Sequence, residues 1–439
     1  MNKNMLTLQK ATSLQTFLEG LGSVPKNAAI GQEKPRTAQC DLSDACANAE
    51  QIISPQHLDF FRRHTSDSPV LAVSLETIRA KFRKMKAVMP RGVRIMYAMK
   101  ANDHPDILDL IIQEGGQFDC ASDREILKVH EAAARVGFKG DLGALCSFGN
   151  TNKREAQIAA SFARGVRLFV ADYEDEIEKI ARAAPGSKVF IRISLLETAD
   201  TAAKAFSNKF GCSPEKAVVL TALAKERGLV PIGFSVHVGG QQRDVSAFAN
   251  AVKVIAQLFR AAEAQGVETM SFVNLGGGFP GAYNETVPNI EAYGQMIREA
   301  CREHFGGRRI TVAIEPGRGM VADAGVIRCT VVNFKTPEKP GDKHMLITDV
   351  GKFSGLYEVT DEKIHYRFAT DRAVGNMVEC EWLDDSCDSS GVNYKTRSIW
   401  MPQDTRPGDA LYIASTGAYT VAYSMPGFNS LPPVVCKVF

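Results

Sequence analysis

The sequence lacks the features that mark membrane proteins and disulfide-rich secreted domains. Its 439 residues contain no run of about 18 apolar residues, so no segment is expected to span a membrane. The ten cysteines form no CxxC pair, and Cys40 and Cys46 are too isolated to indicate a metal site. The first residues have no apolar core of the kind that a signal peptide carries. Scattered thiols without such a leader favour a cytoplasmic protein.

Excess charge and internal repeats are also missing. The net charge is only +2, so neither nucleic acid nor an acidic membrane surface is expected as a partner. No segment repeats along the chain, and no tract has low complexity. The hydrophobic content of 45% and the charged content of 23% are those of an ordinary globular protein. This length suits two domains, or one barrel with a companion domain.

What the sequence does contain is a long alternation of strand-like and helical segments. Continuous apolar strands separated by amphipathic helices indicate parallel β/α units and predict a closed (β/α)8 barrel of the TIM type. After about residue 322 strands follow one another with few helices, which predicts an antiparallel β domain. The apolar segments of the barrel region lie at residues 94–99, 166–171, 188–195, 232–238, 271–276 and 310–316.

These patterns predict the domain boundaries. Ser54 followed by Pro55 is typical of a helix start, and a strand-like segment at residues 69–75 could join the β domain. The predicted parts are an N-terminal extension at 1–53, a segment at 54–76 that leads into the barrel and contributes to the β domain, a barrel at 77–321 and a β domain at 322–439.

Lys100 ends an apolar strand in the segment YAMKAN. A lysine at the C-terminal end of a barrel strand points into the mouth where barrel active sites lie. Partial burial there should lower the pKa of its amine and make it a nucleophile for a carbonyl group. The alternative is a solvated lysine that merely ends a strand.

A glycine run follows another predicted strand. Gly276, Gly277 and Gly278 let the backbone approach a phosphate and aim N–H groups at it, although the spacing is not that of a dinucleotide fold. A flexible barrel loop is the alternative. His237, also at a strand end, could stack on a flat aromatic cofactor or be a satisfied core histidine.

The segment IEPGRG places an acid, a turn and an arginine at the end of one strand. Glu315 could hold a protonated ring nitrogen, and Arg318 with the Gly317 N–H could bind phosphate. A local ion pair is the alternative. Together, the Lys100 amine, the glycine run and this turn supply what pyridoxal phosphate needs: an imine partner, a phosphate site and a charge partner for the pyridine nitrogen.

The ordered set YAMKAN, QFDCAS, SNKFG, HVGG, LGGGFPG, EPGR, SCDSS and GAYT spans residues 68–439 and resembles the fold-type III pyridoxal-phosphate decarboxylases. That group includes ornithine, lysine, arginine and diaminopimelate decarboxylases. The segments DVGKFSGLYE and GFNSLPP are most similar to bacterial ornithine/lysine decarboxylases.

The resemblance implies a role for each cofactor residue. Lys100 binds the cofactor covalently, Asp119 helps to position that lysine, and His237 stacks on the pyridine ring. Glu315 pairs with the ring nitrogen and keeps it protonated. The residues implied in phosphate binding are Gly276, Gly277, Gly278, Gly317, Arg318 and Tyr419.

The resemblance also implies a homodimer whose two active sites lie at the interface. Cys387 and Asp388 then reach into the partner's barrel, where Cys387 returns a proton to the carbon that lost CO2. Asp349 and Asp388 bracket the distal ammonium of a small amino acid substrate.

Several positions depart from the family pattern. Asp384-Asp385-Ser386 stands where relatives have Gly-Pro before the cysteine loop. Gly391 replaces an acid that, in relatives, pairs across the dimer with the lysine equivalent to Lys209. Gly240 replaces a serine and removes a phosphate hydroxyl.

The predicted function is decarboxylation of a basic L-amino acid: ornithine to give putrescine, lysine to give cadaverine, or both. A larger or specialised amine precursor, such as carboxynorspermidine, a secondary-metabolite intermediate or diaminopimelate, is the alternative, and the altered cysteine loop supports it. Diaminopimelate would require cations rather than Asp349 and Asp388 at the distal group. An inactive regulatory relative is a third alternative, which retention of the cofactor lysine and glycine run disfavours.

Overall fold

The computed structural model describes residues 44–64, 69–195, 202–204, 209–373, 375–431 and 433–439. The strands are β1 Ala47–Asn48, β2 Val70–Val73, β3 Arg94–Ala98, β4 Gln117–Cys120, β5 Cys146–Phe148, β6 Leu168–Ala171, β7 Lys188–Arg192, β8 Ala202–Lys204, β9 Val230–Ser235, β10 Gly240–Gln242, β11 Phe272–Asn274, β12 Thr311–Ile314, β13 Gly325–Lys335, β14 His344–Thr348, β15 Arg367–Thr370, β16 Met377–Asp384, β17 Ile399–Pro402, β18 Ala410–Ala414 and β19 Val435–Val438. The α-helices are α1 Ala49–Ile52, α2 Pro55–Arg63, α3 Leu75–Val88, α4 Pro105–Gln113, α5 Asp123–Arg135, α6 Glu155–Ala163, α7 Glu174–Ala183, α8 Pro214–Glu226, α9 Ser246–Ala264, α10 Ile290–Phe305 and α11 Arg318–Val321.

Eight parallel strands close into a barrel, which confirms the predicted fold. Their order is β3, β4, β5, β6, β7, β9, β11 and β12, and β12 pairs with β3 to complete the ring. Five of these strands contribute one buried side chain each to a cluster separate from the main core, so side chains fill the barrel. The cluster consists of Met96, Val170, Phe190, Phe272 and Ala313.

Helix starts follow from short polar side chains at the N-cap. The Ser54 hydroxyl accepts the His57 N–H at 3.3 Å and Pro55 opens α2, as the Ser-Pro pair predicts. The Ser213 hydroxyl accepts the Lys216 N–H at 3.3 Å in the same way before α8. These caps help to fix where the chain leaves each strand and begins its helix.

A second, nine-stranded sheet follows the barrel. Its main path is β1-β15-β18-β13-β14-β16-β17, and β2 pairs with both β13 and β19. Most pairs are antiparallel, as predicted, but β1/β15, β14/β16 and β19/β2 are parallel. The parallel pair β14/β16 matters for the site because it places the ends of two strands that carry acids next to each other.

The predicted N-terminal extension lies outside the described residues as far as residue 43. From residue 44 the chain packs on the second sheet: the Cys46 N–H donates to the carbonyl of Trp400 at 2.8 Å. Asp44 forms an ion pair with Arg397. Within the described ranges, no helix has the length and apolar character needed to cross a bilayer.

Candidate active site

Lys100 lies in a single 3-10 turn directly after β3. Two hydrogen bonds fasten this turn to the segment that follows β18. The Asn102 side-chain amide donates to the Gly417 carbonyl at 3.1 Å, and the Tyr419 N–H donates to the Ala101 carbonyl at 2.8 Å. The barrel lysine is therefore held by the second sheet as well as by its own strand.

The backbone of that second segment is strained. Ser415 and Tyr419 have φ values of +62° and +56°, in the left-handed region that side chains avoid. For a bulky residue such as Tyr419 this conformation is costly and persists only where surrounding contacts impose it. Its place beside the lysine turn fits a role for Tyr419 in the site.

The structure corrects the predicted direction of the Lys100 pKa. Burial acts to lower the pKa of the amine, but electrostatic interactions with Tyr419 and Asp119 outweigh it and raise the pKa above its ordinary value. The prediction of a lowered pKa was wrong because it counted burial and not the neighbouring acids. In the chain alone, Lys100 is therefore an ammonium at neutral pH.

Asp119 lies on β4, next to the lysine strand. The Ser147 hydroxyl donates to its Oδ1 at 3.4 Å, and a Cβ at Gly149 would overlap the same oxygen. Burial raises the pKa of this carboxyl, against the opposing effect of Lys100 and Arg192. The Asp119 carboxylate thus fits on the strand beside the lysine strand because position 149 has no side chain.

Glu315 follows β12 and is tied to the glycine run. The Asn274 amide donates to Glu315 Oε1 at 2.6 Å, while Asn274 Oδ1 accepts the Gly276 N–H at 2.9 Å. Burial, and then the charge of Asp119, raises the pKa of Glu315 to about 8. Sequence reasoning missed Asn274, although its position at the end of β11, just before the glycines, could have indicated it.

The glycine run forms a wall with no room for side chains. A Cβ at Gly276 would overlap the Val236 carbonyl oxygen. At Gly277 it would lie 2.7 Å from the Glu315 carbonyl oxygen, and at Gly278 it would lie 2.5 Å from the Gly239 carbonyl oxygen. Bare backbone here lets a flat ring or a phosphate come close.

His237 borders this wall as a neutral ring. The Gly239 N–H donates to His237 Nδ1 at 3.1 Å, so the ring proton belongs on Nε2. Burial, then the charges of Arg192 and Lys100, holds its pKa well below the ordinary value. Sequence reasoning missed Arg192, the cation that ends β7 and acts on the pKa of Lys100, Asp119 and Glu315 as well.

Arg318 has a partner that the sequence did not reveal. Its two terminal nitrogens contact both oxygens of Glu358 at 2.6 Å, and Nη1 also donates to the Tyr283 hydroxyl at 2.7 Å. The guanidinium lies 4.7 Å from the Tyr419 ring centroid. Arg318 is therefore in an ion pair, but with an acid 40 residues away and not within its own turn as the alternative had it, and a direct contact with phosphate stays a prediction.

Gly317, beside Arg318, closes against the lysine turn. A Cβ there would lie 3.1 Å from the Ala101 Cβ. This contact places the turn that follows β12 directly against the turn that carries Lys100.

Cys387, Asp388 and Asp349 lie on the second sheet instead. The exposed Cys387 donates its N–H to Asn429 Oδ1 at 2.9 Å, and exposed Asp388 accepts the Ser390 N–H at 2.8 Å. Half-buried Asp349 accepts the Thr330 N–H at 2.8 Å. In the part of the chain that is described, no hydrogen bond or ion pair joins Cys387 or Asp388 to the group around Lys100.

The barrel group fits pyridoxal phosphate on its chemistry. It combines a lysine amine, a wall whose Cβ positions are blocked, a neutral histidine ring against that wall, and a buried glutamate of raised pKa. These are the imine partner, the close backbone, the stacking surface and the charge partner that the cofactor requires.

Comparisons with known proteins agree with this geometry. Residues 75–322 match the family described as pyridoxal-dependent decarboxylase, pyridoxal binding domain. The chain is 30% identical over 379 residues to the lysine/ornithine decarboxylase of Selenomonas ruminantium, covering 84% of this chain and 89% of that protein. It is 28% identical over 437 residues to the ornithine decarboxylase of Schizosaccharomyces pombe, covering 96% and 94%.

A solved structure gives the same result. The lysine/ornithine decarboxylase of Vibrio vulnificus, complexed with putrescine, superposes with a TM-score of 0.77 at 26% identity, covering 88% of this chain and 99% of that one. The barrel, the lysine turn and these matches lead to one conclusion: the chain belongs to the fold-type III, pyridoxal-phosphate-dependent amino acid decarboxylases.

Proposed function

We propose that the chain decarboxylates a basic L-amino acid, converting ornithine to putrescine, lysine to cadaverine, or both. The observation that carries the proposal is the buried group around Lys100, where Asp119, Glu315 and His237 meet beside a wall of glycines. Relatives named lysine/ornithine and ornithine decarboxylase support the choice of substrate.

Pyridoxal phosphate, when bound, supplies the electron sink that accepts the pair left on Cα as CO2 departs. Lys100 would hold the cofactor covalently, and Glu315, as a carboxylate, would accept a hydrogen bond from the protonated pyridine nitrogen. His237, neutral through burial, would pack on the ring without repelling that positive charge. The residues proposed to surround the phosphate are Gly276, Gly277, Gly278, Gly317, Arg318 and Tyr419.

The residues proposed to contact the distal end of the substrate favour a second amine there. Asp349 and Asp388 offer carboxylates to an ammonium group, and a carboxylate paired with an ammonium is a favourable charge-assisted contact. Asp388 Oδ1 accepts the N–H and the hydroxyl of Ser390, so Oδ2 is the oxygen proposed to accept from the ammonium. Cys387 returns the proton to Cα, a step worth about 10²–10⁴ in rate when the donor is well placed.

We propose further that Cys387 and Asp388 act in the barrel of a second copy. Both are exposed, and among the described residues neither shares a hydrogen bond or ion pair with the Lys100 group of its own chain. Exposed Tyr357, Tyr423 and Met425 provide apolar surface of a kind that subunit contacts cover. A cytoplasmic location is consistent with the cysteines, which are all unpaired in the described ranges.

One observation favours a larger amine as the second candidate substrate. The register of β14 and β16 pairs Thr348 with Asp384, so Asp349 and Asp385 follow at neighbouring strand ends. Although Asp385 is exposed as a residue, partial burial of its carboxyl, and then the charges of Asp349 and Asp384, raise its pKa. An extra acid beside Asp349 suits a substrate with an additional positive charge, such as carboxynorspermidine.

The test is CO2 release by purified protein with pyridoxal phosphate, against L-ornithine, L-lysine, L-arginine, diaminopimelate and carboxynorspermidine. We expect release from ornithine, lysine or both, and none from Lys100→Ala, which also loses the visible absorbance of the bound cofactor. Release mainly from carboxynorspermidine would select the second candidate. Silence on the whole panel with the cofactor bound would refute both.

A further inference from the structure

The loop that carries Cys387 is closed at its base by a buried aspartate that the proposed chemistry does not use. β16 ends at Asp384, whose N–H donates to the Gly391 carbonyl at 2.9 Å, so residues 385–390 form the loop. Asp384 is only 7% exposed, whereas the next residue, Asp385, faces solvent. An aspartate is rarely buried to this extent unless its contacts require it.

One carboxylate oxygen of Asp384 binds the first residues of the loop. Its Oδ1 accepts both the backbone N–H of Ser386, at 3.1 Å, and the Ser386 hydroxyl. These two bonds set the direction in which the chain leaves the strand toward Cys387, the next residue. The Cys387 N–H is held from the other side by Asn429.

The rest of the Asp384 side chain fills the space between two glycines. A Cβ at Gly391 would overlap Asp384 Oδ1, and a Cβ at Gly351 would overlap Asp384 Cβ and lie 2.7 Å from Oδ2. Neither glycine has a positive φ, so their lack of a side chain is explained by space and not by backbone conformation. The aspartate therefore joins the Cys387 loop to the loop after β14.

The second oxygen shows that this arrangement has a cost. Asp384 Oδ2 is buried and accepts no hydrogen bond from any residue in the described ranges. A buried acceptor without a donor destabilises the fold. The contacts of Oδ1 and the shape of the side chain are kept despite that cost.

We propose that Asp384 is a positioning residue that orients Cys387 and Asp388 for the reaction. The proposal rests on the proposed function, in which Cys387 returns a proton and Asp388 binds the distal ammonium. Asp384 acts through the place of its carboxylate, not through contact with substrate. Since a Cβ at position 391 points at Oδ1, an aspartate at 391 could supply the carboxylate from the other side once position 384 is glycine.

The test compares Asp384→Gly, Gly391→Asp and the double variant Asp384→Gly/Gly391→Asp with wild type. Asp384→Asn is the conservative variant, and Ser389→Ala, an exposed position in the same loop, is the matched control. For each protein kcat and KM are measured on the substrate that the wild type uses, together with the cofactor absorbance. Hydrogen exchange of the peptide spanning residues 384–391 gives a readout that does not depend on activity.

We expect each single change to glycine or aspartate to lower kcat/KM on the order of 10²-fold, because displacement of reacting groups by about 1 Å has that effect. The double variant and Asp384→Asn should each have a kcat/KM much closer to that of wild type than Asp384→Gly has. Cofactor absorbance should stay unchanged throughout, and loop amides should exchange faster in Asp384→Gly. Ser389→Ala should match wild type.

The proposal would be overturned if Asp384→Gly kept both the kcat/KM and the loop hydrogen exchange of wild type. It would also be overturned if the loss of kcat/KM in the double variant equalled the product of the losses in the two single variants. An inactive wild type would instead refute the proposed function. In that case faster loop exchange in Asp384→Gly, reversed in the double variant, still supports the positioning role, and unchanged exchange rejects it.

Discussion

At the scale of single residues, the site is governed by opposing charges within a buried group. Lys100 keeps a raised pKa because Tyr419 and Asp119 outweigh its burial, whereas Glu315 takes a raised pKa because burial and Asp119 act in the same direction. The sequence indicates which residues lie at strand ends. It does not reveal the sum of their charges, which depends on three-dimensional neighbours such as Arg192.

Glu315 makes the cofactor-free protein sensitive to pH. Its pKa in the folded chain, about 8, lies above the ordinary 4.5. The folded state therefore binds the proton more tightly than the unfolded state does. The resulting gain in the free energy of unfolding is fully present below pH 4.5 and is lost as the pH rises through 8. Between pH 5 and pH 8 the free energy of unfolding should fall less in Glu315→Gln than in wild type, by on the order of 3 kcal/mol.

Denaturant unfolding of the cofactor-free protein at several pH values measures this difference. Glu303→Gln, at an exposed side chain, is the control and should leave the pH dependence as in wild type. Equal slopes for wild type and Glu315→Gln would contradict the assigned direction of the pKa shift.

At the scale of elements, strand ends were predictable and partners across the fold were not. The apolar segments ending near Lys100, His237 and Glu315 were recognised because they are long and followed by turn residues. β4 and β5 were not predicted as strands, because polar residues interrupt their apolar runs: Gln117 and Asp119 in β4, and Ser147 in β5. Glu358, the partner of Arg318, lies 40 residues away in the chain, and only the packing of the sheet on the barrel unites them.

The glycine wall should be intolerant of a single methyl group. In Gly277→Ala the new Cβ would lie 2.7 Å from the Glu315 carbonyl oxygen, a backbone atom that cannot simply move aside. Overpacking of this kind costs about 1–3 kcal/mol, so cofactor affinity should fall roughly 10- to 100-fold. Titration of cofactor-free protein with pyridoxal phosphate, followed by absorbance, measures it.

Gly307→Ala is the matched control, because a Cβ at Gly307 meets nothing within 4 Å. Its affinity for the cofactor should equal that of wild type. Undiminished affinity in Gly277→Ala would show that the wall does not border the cofactor.

At the scale of the whole molecule, the proposed site draws on two separate parts of the chain. The barrel supplies Lys100 and Glu315, while exposed Cys387 and Asp388 lie on the second sheet. If two copies complete each other's sites, each site combines the barrel of one copy with the Cys387 loop of the other. In a mixed dimer, one copy carries a barrel defect and the other carries a loop defect. Both defects then fall on the same site, and the second site of that dimer is intact.

Mixing Lys100→Ala with Cys387→Ala should therefore restore activity. With random exchange of subunits half of the dimers are mixed and each has one intact site, so about one quarter of wild-type activity should return. The control mixes Lys100→Ala with Glu315→Ala, two barrel defects that no pairing can place on one site, and should give no recovery. Recovery in neither mixture, with subunit exchange verified by differently tagged copies, would mean that Cys387 serves the barrel of its own chain.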